Sequence, residues 1–219
     1  MLDHLNQNTT DTNQYFIINI KSSIERLGIF LYLKKNSMKK ICTTIIVTSL
    51  LISCKITGLT NDYSKLTEEN KSRIVAFENF GDYNVGRIYK ISGKQLKAEV
   101  AKYEKSLVYI FKNGCTSDLC KPMFVYENYA KQNGYQLFLI MDGYGNLDDT
   151  FGQRNNFTSQ LFAINTDLYD SKYRATYTRM FENELLNKEL NYKSKEYQGN
   201  LFFFEGNRLD KIAMELPKY

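Results

Sequence analysis

Leu107-Val108-Tyr109-Ile110-Phe111-Lys112-Asn113-Gly114-Cys115-Thr116-Ser117-Asp118-Leu119-Cys120-Lys121-Pro122 is the stretch on which the fold turns. Its first five residues form a continuous apolar run, as a strand covered on both faces requires. A polar bend follows, and Thr116, Ser117 and Asp118 are all residue types that cap helix N-termini. The pattern predicts a helix over residues 119–132, stopped by Gly134. Gln136-Leu137-Phe138-Leu139-Ile140-Met141 is then a second strand of the buried type.

Upstream, Val85-Gly86-Arg87-Ile88-Tyr89-Lys90-Ile91 alternates like a strand, and Ser92 is placed to cap a helix over residues 94–104. Downstream, residues 142–158 read as a polar excursion containing Gly143, Gly145 and Gly152, before a short apolar strand at Leu161-Phe162-Ala163-Ile164. Apolar positions at helical spacing predict a long amphipathic helix over residues 169–190. Leu201-Phe202-Phe203-Phe204, the Gly206-Asn207 turn and residues 209–216 read as an antiparallel hairpin. Strands alternating with helices predict an α/β sandwich whose mixed central sheet is parallel in the middle and antiparallel at one edge.

The N-terminal region has a different character. Met38-Lys39-Lys40 precedes twelve mostly apolar residues, 41–52, and then Ser53-Cys54. Twelve helical residues reach about 18 Å, short of the roughly 30 Å of hydrocarbon that a spanning helix must cross. Basic start, apolar run and small residue before the cut are the anatomy of a secretory signal. The ending Leu51-Ile52-Ser53-Cys54 resembles the lipobox of bacterial lipoproteins, which implies acylation of Cys54 and a mature chain that begins there. The expected division is a translated leader over residues 1–37, a signal peptide over 38–53, a lipidated polar tether over 54–80 and a folded domain over 81–219. This predicts an envelope protein held to the membrane at Cys54, with its domain facing the periplasm.

Several function classes are then excluded. His4, the single histidine, falls in the leader, so the mature domain lacks the usual neutral-pH general base and cannot run Ser-His-Asp or Cys-His chemistry. Two remaining cysteines without histidine fall short of the usual four N/S ligands of a zinc site unless carboxylates or a second chain complete the set, and no cofactor or metal is expected. No GxGxxG, P-loop or GxSxG pattern occurs. Residues 1–54 hold six Lys/Arg against three Asp/Glu, leaving 23 against 21 in the remainder, so no nucleic-acid partner is expected.

With Cys42 removed and Cys54 lipidated, Cys115 and Cys120 are the thiols that remain. They stand at the carboxyl end of a central strand, where α/β sheets place reactive groups, and a thiol at a helix start meets the positive end of the macrodipole. If both were helical they would lie about 140° apart, so a bridge needs Cys115 outside the helix. The expectation is an exposed, attacking Cys115 and a buried Cys120 in the first helical turn.

Strand, two-cysteine loop, proline-containing helix, strand and final hairpin together resemble the thioredoxin-like superfamily over residues 86–216, and more narrowly the thioredoxin-fold lipoproteins of Bacteroidetes. The resemblance implies a three-layer sandwich, with Cys115 attacking, Cys120 resolving and protein thiols or disulfides as substrates. Gly114-Cys115-Thr116-Ser117-Asp118-Leu119-Cys120 is similar to the Gly-Cys-Thr-x-x-x-Cys motif of the bacterioferritin-comigratory peroxiredoxins. Departures are also legible: Asn113-Gly114 stand where thioredoxins carry tryptophan, and Gly199-Asn200 where they carry a cis-proline. Lys112 and Val108 replace the peroxiredoxin Thr and Pro. The competing reading is a non-enzymatic binding or assembly module in which the pair is a structural disulfide.

Two further groups have plain readings. Tyr135, Tyr144, Tyr169, Tyr173 and Tyr177 belong to a chain with 17 tyrosines and read as core packing and amphipathic surface rather than a glycan or peptide platform. Asp142, Asp148 and Asp149, set among glycines, read as solvated loop carboxylates rather than cation ligands.

Overall fold

A computed structural model describes residues 58–217 apart from 82, 83, 195 and 197; the expected leader, signal peptide and lipidation site at Cys54 lie outside the described residues. In chain order the elements are α1 (Glu68–Ser72), β1 (Ile74–Ala76), β2 (Ile88–Ile91), α2 (Gly93–Val100), β3 (Lys105–Phe111) and α3 (Met123–Asn133). There follow β4 (Gln136–Met141), α4 (Leu147–Phe151), β5 (Leu161–Ile164), α5 (Arg174–Leu185), β6 (Leu201–Glu205) and β7 (Arg208–Ala213). The strands form one mixed sheet in the order β1-β2-β5-β4-β3-β6-β7. Strands β1 to β5 run parallel, β6 is antiparallel to β3, and β7 is antiparallel to β6.

The sheet divides the core in two. Leu107, Tyr109 and Phe111 pack on one face with Met123, Tyr126 and Tyr129 of α3, whereas Val108 and Ile110 pack on the other with Leu96 of α2 and Tyr177 and Phe181 of α5. Alternate residues of one strand thus feed two helical layers, as the period of two requires. The outcome is the expected α/β sandwich, with β4, β3 and β6 as neighbours at its centre.

Element ends follow local chemistry. Ser92 and Gln95 form a capping box at the start of α2, and Gly134 ends α3 in the left-handed region at φ 71°. The hairpin turn is at Gly206-Asn207, as expected. Helix α5 is shorter than the predicted 169–190: Tyr169 is extended because its hydroxyl is held, accepting from Gly93 N (3.1 Å) and donating to Glu184 (2.7 Å). At the other end Asn187 turns left-handed.

The largest difference lies at the start. Residues 58–80, expected within a polar tether, are part of the folded body: β1 pairs with β2, Asp62 is buried, and Phe77 and Phe80 pack on Phe162. Asp62 and Asn70 are buried as hydrogen-bonded groups, which composition alone does not separate from solvated ones.

Candidate functional site: the disulfide loop at the carboxyl end of the sheet

Strand β3 delivers the chain to the site. Beyond Phe111, Lys112 is exposed, while the Asn113 side chain is buried and used twice: its Nδ2 donates to Gly143 O (2.8 Å) and its Oδ1 accepts from Thr150 Oγ1 (2.6 Å). Gly114 turns with φ +64°, and a Cβ there would stand 2.5 Å from Asp149 Oδ2 and 2.8 Å from Asn146 Cβ. Only glycine meets both demands, the left-handed backbone and the close approach.

Cys115 and Cys120 are joined as a disulfide with their Cα atoms 6.1 Å apart, inside the span that a bridge tolerates. Within the loop Cys120 N donates to Ser117 O (2.9 Å), Leu119 N to Ser117 Oγ (3.3 Å), and Lys121 Nζ to Asp118 O (2.5 Å). Lys121 N donates to Tyr126 Oη (3.2 Å), and Met123 N to Gln153 Oε1 (2.9 Å), so the excursion after β4 caps the helix that follows the bridge. Tyr109, Lys112, Phe124 and Gln153 join the two cysteines in lining a cavity of about 490 Å³.

Two details correct the sequence-based expectation. Helix α3 starts at Met123 rather than at residue 119, because Lys121 precedes a proline and is driven from helical backbone. Cys120 therefore lies outside the helix. Both cysteines are also half-buried, so the expected contrast between an exposed Cys115 and a buried Cys120 is absent.

A second cluster borders the same end of the sheet. Arg174, at the start of α5, stands 3.3 Å from both Asp62 Oδ2 and Asp142 Oδ1. Burial raises the Asp142 carboxyl to about 6, against the pull of Arg174 and Lys112. Asp62 is different: burial pushes its carboxyl up, but hydrogen bonds from Lys65 and from Gly58 N, with Arg174 beside it, bring it below the usual range. Asp142 is thus a half-buried ion-pair member, not the solvated loop carboxylate expected. Asp148 accepts from Asn70 Nδ2 (3.0 Å), and among the described residues no group of three or more His, Cys, Asp or Glu is arranged to hold a metal.

The other sequence candidates are dispersed. Tyr144, Tyr169 and Tyr177 are buried, Tyr135 is half-buried and Tyr173 exposed, so core packing accounts for most of this group. Gly199 precedes β6 with φ +135°, and a Cβ there would run into Ala213 O; it lines a different cavity from the disulfide. Thr150 and Gln153 support the disulfide loop and Arg174 the second cluster, and the sequence carries no signal for them, since nothing in it links residue 113 to 150 or 123 to 153. No helix among the described residues is long and apolar enough to cross a membrane.

Fold and site define an α/β sandwich with a mixed seven-stranded sheet and a disulfide at the exit of a central strand. The chain matches no family model, no curated protein and no solved structure.

Proposed function

We propose that this chain is a lipid-anchored module of the bacterial envelope, with a thioredoxin-like domain that exchanges its Cys115–Cys120 disulfide with thiols of partner proteins. The observation that carries the reading is the placement of the bridge: it is half-exposed, at the exit of a central strand, beside a cavity of about 490 Å³. A partner thiolate attacks Cys115 Sγ and displaces the Cys120 thiolate, giving a mixed disulfide. A second partner thiolate then displaces Cys115, so the partner leaves oxidised and the pair is reduced by two electrons. The role of Cys115 follows its match to the family's attacking cysteine, and the anchor follows the lipobox ending at Cys54.

A structural bridge is the second reading, and one observation favours it. Helix α3 begins three residues beyond Cys120, so neither cysteine sits in the first turn, where the macrodipole would activate a thiolate.

The two readings part on the redox potential and on trapping. For exchange, the pair equilibrates well above about −300 mV, and a Cys120→Ser variant accumulates a mixed disulfide through Cys115. A potential below that value with no trapped adduct assigns the bridge to structure. The anchor has its own measurement, the mass of the native N-terminus, which should be an acylated Cys54; an unmodified chain starting at Met1 rejects it.

A further inference from the structure

The first described residues are clamped to the carboxyl end of the sheet. Gly58 N donates to Asp62 Oδ2 (2.8 Å), Leu59 O accepts from Arg174 N (2.9 Å), and Asn61 O accepts from Tyr144 N (2.7 Å). Arg174 also reaches Thr60 O through Nε and Nη2, at 3.4 and 3.3 Å. A Cβ on Gly58 would lie 3.6 Å from Nζ of Lys112, three residues before Cys115. The point where the chain joins the folded body is therefore beside the strand exit that carries the disulfide.

Four residue steps separate Cys54 from Gly58. Whatever its conformation, that segment spans at most about 14 Å. An acylated Cys54 sits at the headgroup level, so the body hangs on a leash shorter than the roughly 20 Å run of strand β3. The hairpin turn at Gly206-Asn207 is at the far end of that strand, since Glu205 pairs with Lys105. Charge does not set the orientation, because exposed Lys112, Lys121 and Lys172 at the near end are offset by exposed Asp118, Asp149 and Asp170.

We propose that the short leash turns the carboxyl end of the sheet, with the Cys115–Cys120 disulfide, toward the lipid headgroups, so that its partners are protein thiols lying at the membrane surface. The inference rests on the anchor at Cys54 and names the partner class for the exchange proposed above.

The test uses the full chain, processed in bacterial cells and reconstituted into phosphatidylethanolamine–phosphatidylglycerol vesicles that carry an acceptor dye on a lipid headgroup. In a Cys115→Ser, Cys120→Ser background, a donor dye is placed through Asp118→Cys or Asn207→Cys, both exposed positions. Energy transfer should be at least about twofold stronger from 118 than from 207, given the roughly 20 Å between the ends of β3. Inserting a Gly/Ser segment of about 20 residues after Lys55, with a mean span of about 25 Å, should erase the contrast. Equal transfer from the two positions in the acylated, unextended chain overturns the orientation alone. A mass spectrum showing no acyl group overturns the anchor, and this inference with it.

Discussion

Asp142 and Asp62 share one guanidinium and burial pushes both carboxyls up, yet the net shifts are opposite. Asp62 has the Gly58 N–H and Lys65 in addition to Arg174, whereas Oδ1 of Asp142 has no hydrogen bond and Arg174 at 3.3 Å as its ionic partner. The Asp142 carboxyl titrates near 6 when folded, against an ordinary 3.8. Between these values the folded chain binds more protons than the unfolded one, so stability falls as pH rises, and the full cost of about 3 kcal/mol is in place above pH 6. Asp142→Asn should therefore gain on the wild type as pH rises from 4 to 7.5, by up to that amount, in urea midpoints. A difference between the two that does not change with pH refutes the assignment. At Gly114 the demand is steric: Gly114→Ala forces a left-handed alanine against Asn146 and Asp149 and should cost about 2 kcal/mol or more by the same measurement. An unchanged midpoint would mean that the loop relaxes freely.

At the scale of elements, the sequence was most legible where one force dominates. Leu107 to Phe111, Leu137 to Met141 and Leu201 to Phe204 are apolar on both faces, and all three are buried central strands. Ser92 marks a helix start through its side-chain cap, and Gly134 and Gly206 mark ends through their left-handed backbone, all without tertiary information. Legibility failed where partners are remote in sequence. The start of α3 depends on Pro122 and on Gln153, thirty residues away from the Met123 N–H it accepts. Residues 157–159 are set by the buried Glu127 carboxylate, whose Oε1 accepts from the backbone and side chains of Thr158 and Ser159. At the site, spacing was enough to predict that Cys115 could reach Cys120. It could not place the neighbours that hold the loop, because Asn113, Thr150 and Gly143 meet only once β3 and β4 lie side by side.

For the folded body from residue 58 onward, the boundary of the domain is the property most open to direct test. Residues 58–80 carry little apolar weight in sequence but supply three kinds of contact. β1 extends the sheet beyond β2, Phe77 and Phe80 join the aromatic cluster around Phe162 and Phe138, and Asp62 neutralises Arg174. Removing Asp62 leaves a guanidinium with a one-tenth exposed side chain short of a partner, and breaking such a buried pair costs about 3 to 5 kcal/mol before the lost sheet edge and ring packing are counted. Asn61 and Leu59 also accept backbone hydrogen bonds from Tyr144 and Arg174, whose N–H groups would be left to water. A chain starting at residue 81 should therefore be less stable than one starting at residue 56 by at least about 4 kcal/mol, and insoluble if its total stability lies in the usual 5 to 15 kcal/mol range near the lower end. Urea unfolding of the two chains at equal concentration measures the difference. Coincident midpoints would return residues 58–80 to the role of a solvated tether and lengthen the leash on which the disulfide end is held.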